Sequence, residues 1–402
     1  MKKDSTGQKK QPNKSQQKKQ PNKKRATRPV KGTARKTRVG KTKLTHLTIG
    51  MDLGDKTSRY CVLDEQGEVL FERSTATTKK GMAQAFGALG GCRLAIEVGT
   101  HSPWVSRLLS SFGHEVIVAN ARQVQLISQS SRKSDRVDAQ TLARLARVDP
   151  QLLRPIQHRS EKAQGHLLVI RVRAALVEAR TGLINSARGL AKASGERLPG
   201  CDADQMGAGK LDGLPAGTAA ALRPLLEQVE TLTQKIKESD RQIEQIAREH
   251  YPQSARLRQI RGVGELIALT YMLTVEDPGR FRRSRDVGCY VGLRPRRGES
   301  GQQQPQLRIT KEGDRYLRQL QVQGAQYILG RCGPDTDLRR WGLKLAARGG
   351  KNAKKRAVVG VARKLAVLLH RLWVSGETYD ALRQSRARQE GGQEKRVQLA
   401  AA

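Results

Sequence analysis

Two short apolar runs, each stopping at an acid, constrain this chain more than any other feature. Leu47-Thr48-Ile49-Gly50-Met51-Asp52 reads as a strand ending at Asp52, with Leu53-Gly54 turning the chain; Cys92-Arg93-Leu94-Ala95-Ile96-Glu97 reads as a second one ending at Glu97. Between them, residues 59–63 and 68–73 read as strands joined by a turn at Asp64-Glu65-Gln66-Gly67, and residues 79–89 as a helix. Beyond them, residues 102–112 read as a helix with Pro103 at its first position, and residues 115–118 as a fifth strand.

A third segment completes the pattern. After Lys133-Ser134-Asp135-Arg136-Val137-Asp138-Ala139, residues 139–148 carry Leu142, Leu145 and Ala146 at helical spacing. Ser134 suits the N-cap, which puts Asp135 and Asp138 on one face of the first turn. Acid at a helix start is also ordinary dipole chemistry, so the pair alone marks nothing. Its meaning comes from order. Three hairpin-like strands, then helix, strand, helix, strand and helix, is the element order of a ribonuclease-H-like α/β fold. That fold would set Asp52 beside Glu97, with Asp135 and Asp138 closing the cluster. Four carboxylates suit hard cations such as Mg²⁺, and a pair of ions clamps the attacking and leaving oxygens of a phosphodiester. Asp52, Glu97, Asp135 and Asp138 are therefore the expected metal ligands, for two Mg²⁺ ions.

Charge names the class of partner. The 402 residues carry a formal charge of +39, with a pI near 10.8. Such an excess predicts salt-sensitive attraction to a polyanion, of which nucleic acid is the usual one. A membrane is the competitor, but no apolar run approaches the roughly 20 residues a span requires. The basic N-terminus lacks the apolar stretch of a secretory signal. Five scattered cysteines without paired spacing argue for a reducing compartment, as the cytoplasm is, and against zinc. Residues 1–45 hold seventeen Lys or Arg against Asp4 alone, and are expected to form a disordered arm that binds nucleic acid or merely solubilises.

The second half reads as mainly helical. Residues 164–194 form an Arg-rich helix with Leu167, Leu168, Val172, Leu176, Leu183 and Ile184 as its apolar stripe; Arg171, Arg173, Arg180 and Arg188 face either phosphate or solvent. Residues 199–217 read as a loop. Residues 219–247 form an amphipathic helix, broken or kinked near Pro224, with a heptad-like seam of Leu225, Val229, Leu232, Ile236, Ile243 and Ile246. The two helices make an antiparallel hairpin. Ile260-Arg261-Gly262-Val263-Gly264 before a helix over 265–274 looks like a helix-hairpin-helix, whose Gly262 and Gly264 would let backbone amides approach a phosphate. A basic Gly-rich loop follows, Gly292-Leu293-Arg294-Pro295-Arg296-Arg297-Gly298-Glu299-Ser300-Gly301. Then come Ile309-Thr310-Lys311-Glu312-Gly313-Asp314-Arg315, Asp337-Leu338-Arg339-Arg340-Trp341, and a helix over 357–373.

Ile49-Gly50-Met51-Asp52, Ile96-Glu97-Val98-Gly99-Thr100 and Lys133 to Ala139, with the Gly-rich loop and the segments after it, resemble the Asp-Glu-Asp-Asp family of insertion-sequence transposases over residues 46–380. The resemblance implies a resolvase-like domain over 46–158, a coiled coil over 159–250 used for dimerisation, and a transposase domain over 251–382. A basic arm (1–45) and a disordered tail (383–402) flank them. It implies a structured bridge RNA that selects donor and target DNA, and a homo-oligomer, dimer or tetramer. It also implies a nucleophilic serine next to glycine, which by position is Ser300. The family commonly shows Ser-Ser-Gly-Gly there, whereas this chain has Glu299-Ser300-Gly301-Gln302. None of the seven histidines lies near Ser300 in sequence, and the acids are more than 150 residues upstream; the resemblance implies that the two are assembled in space. Lys133, Arg136, Gly262, Gly264, Arg294, Arg296, Arg297, Lys311, Arg315, Lys354, Lys355 and Arg356 are the expected nucleic-acid contacts. The function so implied is strand cleavage and rejoining through a 5′-phosphoserine, with Mg²⁺. The alternatives are a metal-dependent junction resolvase without a covalent intermediate and a non-catalytic nucleic-acid-binding protein.

Overall fold

The computed structural model describes residues 47–120, 135–296, 298 and 307–387, with Asp135 and Arg136 described by backbone only. The chain divides after Ile156 into two compact units.

The N-terminal unit is built on five strands: β1 (Thr48–Asp52), β2 (Thr57–Leu63), β3 (Val69–Ala76), β4 (Arg93–Glu97) and β5 (Glu115–Ala119). Their order is β3-β2-β1-β4-β5; β2 pairs antiparallel with both β1 and β3, whereas β4 pairs parallel with both β1 and β5. This mixed sheet is compatible with a ribonuclease-H-like domain. Strand alternation sorts side chains onto its two faces. Ile49, Met51, Leu94 and Ile96 bury against Met82 and Phe86 of α1 (Lys79–Phe86) and Val105 and Leu109 of α2 (Ser102–Ser111). Pro103 is the second residue of α2, since Ser102 is already helical. The other face carries Gly50, Cys61, Leu63 and Ala95 under Ala139, Leu142, Ala143 and Ala146 of α3 (Asp135–Val148). Gly50, Cys61 and Ala95 are small, so α3 can press close to the strands there.

The C-terminal unit opens with α4 (Glu161–Ala193) and α5 (Ala216–His250), an antiparallel pair. Ile184, Ala187 and Ala191 pack on Leu222, Leu226 and Val229 at one end; Leu167 and Ile170 pack on Ile243, Ile246 and Ala247 at the other. Of the break or kink expected near Pro224, the break is absent: α5 runs as one helix through that residue. On α4, Leu168 and Val172 face solvent, because the buried stripe runs through Ala163, Leu167 and Ile170 instead. Short α6 (Ser254–Leu257) leads into α7 (Glu265–Val275), every residue of which from Ala268 onward is buried. A helix apolar on all sides belongs at a centre. α7 packs its Leu269 and Leu273 on the hairpin, and its Tyr271 and Met272 in the core formed with α8 (Val287–Tyr290), α9 (Arg315–Leu329), α10 (Asp337–Ala347) and α11 (Ala353–Ser375). The hairpin base and the C-terminal helices thus share one compact unit. Residues 384–387, expected in a loose tail, are held: the Gln384 and Ser385 amides donate to Asp337 at 2.7 and 3.3 Å. The arm over 1–45 and the tail from 388 onward lie outside the described residues.

Candidate active site

Register sets the first two acids. Gly50 pairs with Ala95 and Met51 with Ile96, so the next step along each parallel strand brings Asp52 level with Glu97. Asp52 lies two residues past Gly50, and Glu97 two past Ala95. Both acids therefore share the small-residue face on which α3 packs. The direction of α3 follows from its other end. Arg93, at the start of β4, donates to the carbonyl of Ala146 at 3.3 Å, and Thr48 and Arg93 line one small cleft with Arg147. α3 consequently runs opposite to β1 and β4, and its first turn lies over their C-terminal ends. Asp138 sits in that turn, four residues before the buried Leu142 and beside Ala139, whose carbonyl abuts Gly50. The carboxyl ends of parallel strands are where open α/β sheets bind ligands.

Asp52, Glu97 and Asp138 are each half-buried. Among the described residues, no group of three or more His, Cys, Asp or Glu is gathered so as to hold a metal ion; the side chain of Asp135 lies outside those residues, as do Ser134, the expected cap, and Lys133. The donor chemistry of the three described acids, all carboxylate oxygen, fits a hard divalent cation.

Sequence reasoning missed the loops that border these strand ends. His101 lies 3.4 Å from Asp55 through Nε2, and Trp104 Nε1 donates to His101 Nδ1 at 3.1 Å, so Nε2 carries the proton offered to Asp55. That contact ties the loop after β1 to the loop after β4. Thr77 fixes the first loop by donating to the Gly54 carbonyl at 2.9 Å. An isolated His and an Asp 46 residues apart carry no signal that they will meet.

In the C-terminal unit the Gly-rich loop has a defined stem. Arg296 N donates to Arg308 O at 2.9 Å, Thr310 N to Arg294 O at 2.9 Å, and Lys311 N to Gly292 O at 3.1 Å, around a bridge between Pro295 and Ile309. Ser300 lies in sequence between the two legs and, with Arg297, Glu299 and Gly301, outside the described residues. Gly292 has φ +73°, and a Cβ there would stand 2.0 Å from Glu312 O; Gly313 has φ +75°, with Tyr290 O equally close. Both positions need glycine, in conformation and in space. Arg318 donates to Val291 O at 3.0 Å and Glu312 O at 2.9 Å, clasping both legs; burial, the largest influence, lowers its pKa from the ordinary value. The outer side of the stem is cationic, with Arg294, Arg296, Arg308, Lys311 and Arg315 all exposed.

Other expected contacts are redirected. Gly262, at φ +97°, turns inward: a Cβ would stand 2.9 Å from Tyr327 and 3.2 Å from Gly324 O, so its freedom serves packing against α9. Gly264 is exposed, caps α7 and has open space around it. Lys354 and Lys355 are exposed in the first turn of α11, but Arg356 folds back onto the carbonyls of Lys351 (3.1 Å) and Gly349 (3.0 Å). The hairpin arginines also face protein: Arg171 pairs with Asp314, Arg173 with Asp240 at 2.8 Å, Arg180 with Thr233 at 3.2 Å, and Arg188 with Cys201 O at 3.3 Å. Burial works to lower the Arg173 pKa, but the bond and charge of Asp240 outweigh it and hold the group above its ordinary value. Arg136 is described by backbone only.

Known proteins resemble this chain in sequence. A family described as Transposase matches residues 49–193, and one described as Transposase IS116/IS110/IS902 family matches residues 254–339. The chain is 30% identical over 302 residues to a transposase of Sinorhizobium fredii, covering 71% of this chain and 74% of that one. The chain belongs to the IS110 family of insertion-sequence transposases. It is also similar to the transposase for insertion sequence element IS1111A of Coxiella burnetii (28% over 343 residues, 82% of this chain and 90% of that one) and to a family 20 transposase of Pseudomonas aeruginosa (29% over 338 residues, 82% and 97%). The first family match contains Asp52, Glu97, Asp135 and Asp138, and its Asp-Glu-Asp-Asp character suggests divalent-metal dependence in general. The second spans both legs of the Gly-rich loop. No helix among the described residues is long and apolar enough to cross a membrane.

Proposed function

We propose that this transposase cuts and rejoins DNA strands through a covalent 5′-phosphoserine on Ser300, with Asp52, Glu97, Asp135 and Asp138 holding divalent metal, Mg²⁺ in pair, and with a structured RNA guiding the choice of DNA. The observation that carries the metal half is the shared face of Asp52 and Glu97 at adjacent strand ends, with the first turn of α3 above them. Bound metal would supply charge neutralisation at the phosphate and at the leaving oxygen.

The nucleophilic half rests on the loop. Ser300 Oγ would attack phosphorus and give up its proton, and the P–O bond to the 3′ oxygen would break, leaving a 3′-hydroxyl. A 3′-hydroxyl of the exchanged strand then attacks the phosphoserine and returns Ser300 to its free form, so no bond energy is lost to water. Arg294 and Arg296, exposed on the stem, would bind the flanking phosphates. A serine hydroxyl is a weak nucleophile, and charge stabilisation around the phosphate is what makes its attack feasible.

The test is a pair of variants assayed for binding, for cleavage and for covalent adduct on denaturing gels. Asp138→Asn should bind nucleic acid as the parent does yet cleave nothing. Ser300→Ala should bind equally and form no adduct and no recombinant. If Ser300→Ala still cleaves while Asp138→Asn does not, hydrolysis by a resolvase-like enzyme is the correct reading. RNA retained through purification, sequenced, tests the guide; its absence removes that part of the proposal.

A further inference from the structure

Within the C-terminal unit a cavity of about 550 Å³ opens between α11, the turn Ser284–Asp286 and residues 377–387. Its volume falls in the range of small-ligand sites. Arg363, Val367 and Arg371 recur every fourth residue along α11, so one helical stripe lines the wall; Arg285 joins them from the turn. None of the three arginines has a carboxylate or hydrogen-bond partner among the described residues. The acids that line the same cavity are all engaged. Asp337 accepts from the Gln384 amide and from Ser385, Glu377 accepts from Arg383 at 2.8 Å, and Asp380 pairs with Arg386. Burial pushes the Asp337 carboxyl up, but those hydrogen bonds outweigh it and hold the group below its ordinary value, so it stays ionised.

Three guanidinium groups without a partner among the described residues, around a partly apolar floor of Leu368, Leu372 and Tyr379, are a specific combination. A duplex backbone needs only an exposed cationic surface. An unpaired nucleotide brings both a π-face to bury and phosphates to pair. We propose that this cavity receives one unpaired nucleotide of a bound strand, its base against Leu368, Leu372 and Tyr379 and its flanking phosphates on Arg285, Arg363 and Arg371. The proposal rests on the reading of the chain as a nucleic-acid enzyme, and adds a site whose lining includes neither the four acids nor the Gly-rich loop. Arginine suits it because its planar fork binds phosphate in two-point fashion.

The experiment uses the full chain and fluorescence anisotropy with paired probes: duplexes of equal length, fully paired or carrying one unpaired nucleotide, each made in DNA and in RNA. Wild type should favour the bulged probe about tenfold, the scale of one stacked base, and the DNA and RNA arms show which strand supplies it. The double variant Arg363→Ala/Arg371→Ala should lose that margin while still binding the paired probe. Val367→Trp, which fills the cavity without removing charge, should lose it too; thermal melting confirms that both fold. A margin that survives both variants overturns the proposal, as does a double variant that weakens both probes equally. Displacement of neither probe but tight capture of a poly-glutamate peptide, lost in both variants, would make the cavity a protein-docking site instead. A wild type that binds the paired probe with no margin sinks the cavity alone; one that binds neither probe sinks the nucleic-acid reading with it.

Discussion

At Gly50 the strand has no room for even a methyl group: a Cβ there would stand 2.1 Å from the Ala139 carbonyl oxygen and 2.3 Å from the Ala143 nitrogen. Both are backbone atoms of α3, so no rotamer change relieves the clash and the helix must shift. Gly50→Ala should destabilise the N-terminal unit by about 1–3 kcal/mol, the usual cost of overpacking. Because α3 carries Asp135 and Asp138, DNA cleavage should fall further than nucleic-acid binding. Gly99→Ala is the matched control, with nothing near its Cβ and no positive φ, and should leave melting unchanged. Equal melting temperatures for the two variants would contradict the packing of α3 on Gly50.

At the scale of elements, Asp314 couples the hairpin to the C-terminal helices. It caps α9 by accepting from the Leu317 amide at 2.8 Å, pairs with Arg171 of α4, and lies 4.0 Å from Arg159, with its side chain only 10% exposed. Arg171 also stands 5.2 Å from the centre of the Tyr316 ring. Asp314→Ala removes the cap and strands a partly buried guanidinium. The expected loss is about 2 kcal/mol or more, combining a cap of about 1 with the penalty of an unpaired charge. Asp314→Asn keeps the cap and loses the charge, so urea midpoints should fall in the order wild type, Asn, Ala. An alanine variant as stable as the parent would show that the apolar packing on α7 holds the hairpin without this ion pair.

The whole molecule is dominated by its charge of +39, much of it in the first 45 residues. Removing residues 1–45 deletes seventeen cations and one acid. Every phosphate that the arm no longer neutralises should reduce the log–log salt slope of binding by about 0.9 on duplex DNA. The truncated protein should therefore bind more weakly at low salt and depend less on salt, with the strand-cleaving step unchanged once bound. An unaltered slope would make the arm a solubilising tail.

Much of the N-terminal unit was legible in the residues, because strands and helices there follow local rules. Alternating apolar runs located all five strands to within a few residues. The acids at 52 and 97 could be seen to end two of them, and Asp138 to sit in a first turn. What periodicity could not decide is which face each element turns, and towards what. The face shared by Asp52 and Glu97 follows from Gly50 and Ala95 being small enough for α3 to lie on them, a contact across about 90 residues of chain. The same limit explains the arginines. Arg171, Arg173, Arg180 and Arg188 look like a phosphate face by composition, and only folding brings Asp314, Asp240, Thr233 and the Cys201 carbonyl to meet them. Gly262 likewise reads as a phosphate-binding turn until α9 arrives beneath it. Arg363 and Arg371 look like ordinary solvated positions on a long helix, and become walls of a cavity only when residues 377–387 fold across them. Secondary structure and charge are local sums over the chain; a side chain's partner is a matter of distant segments meeting, which the tertiary structure alone determines.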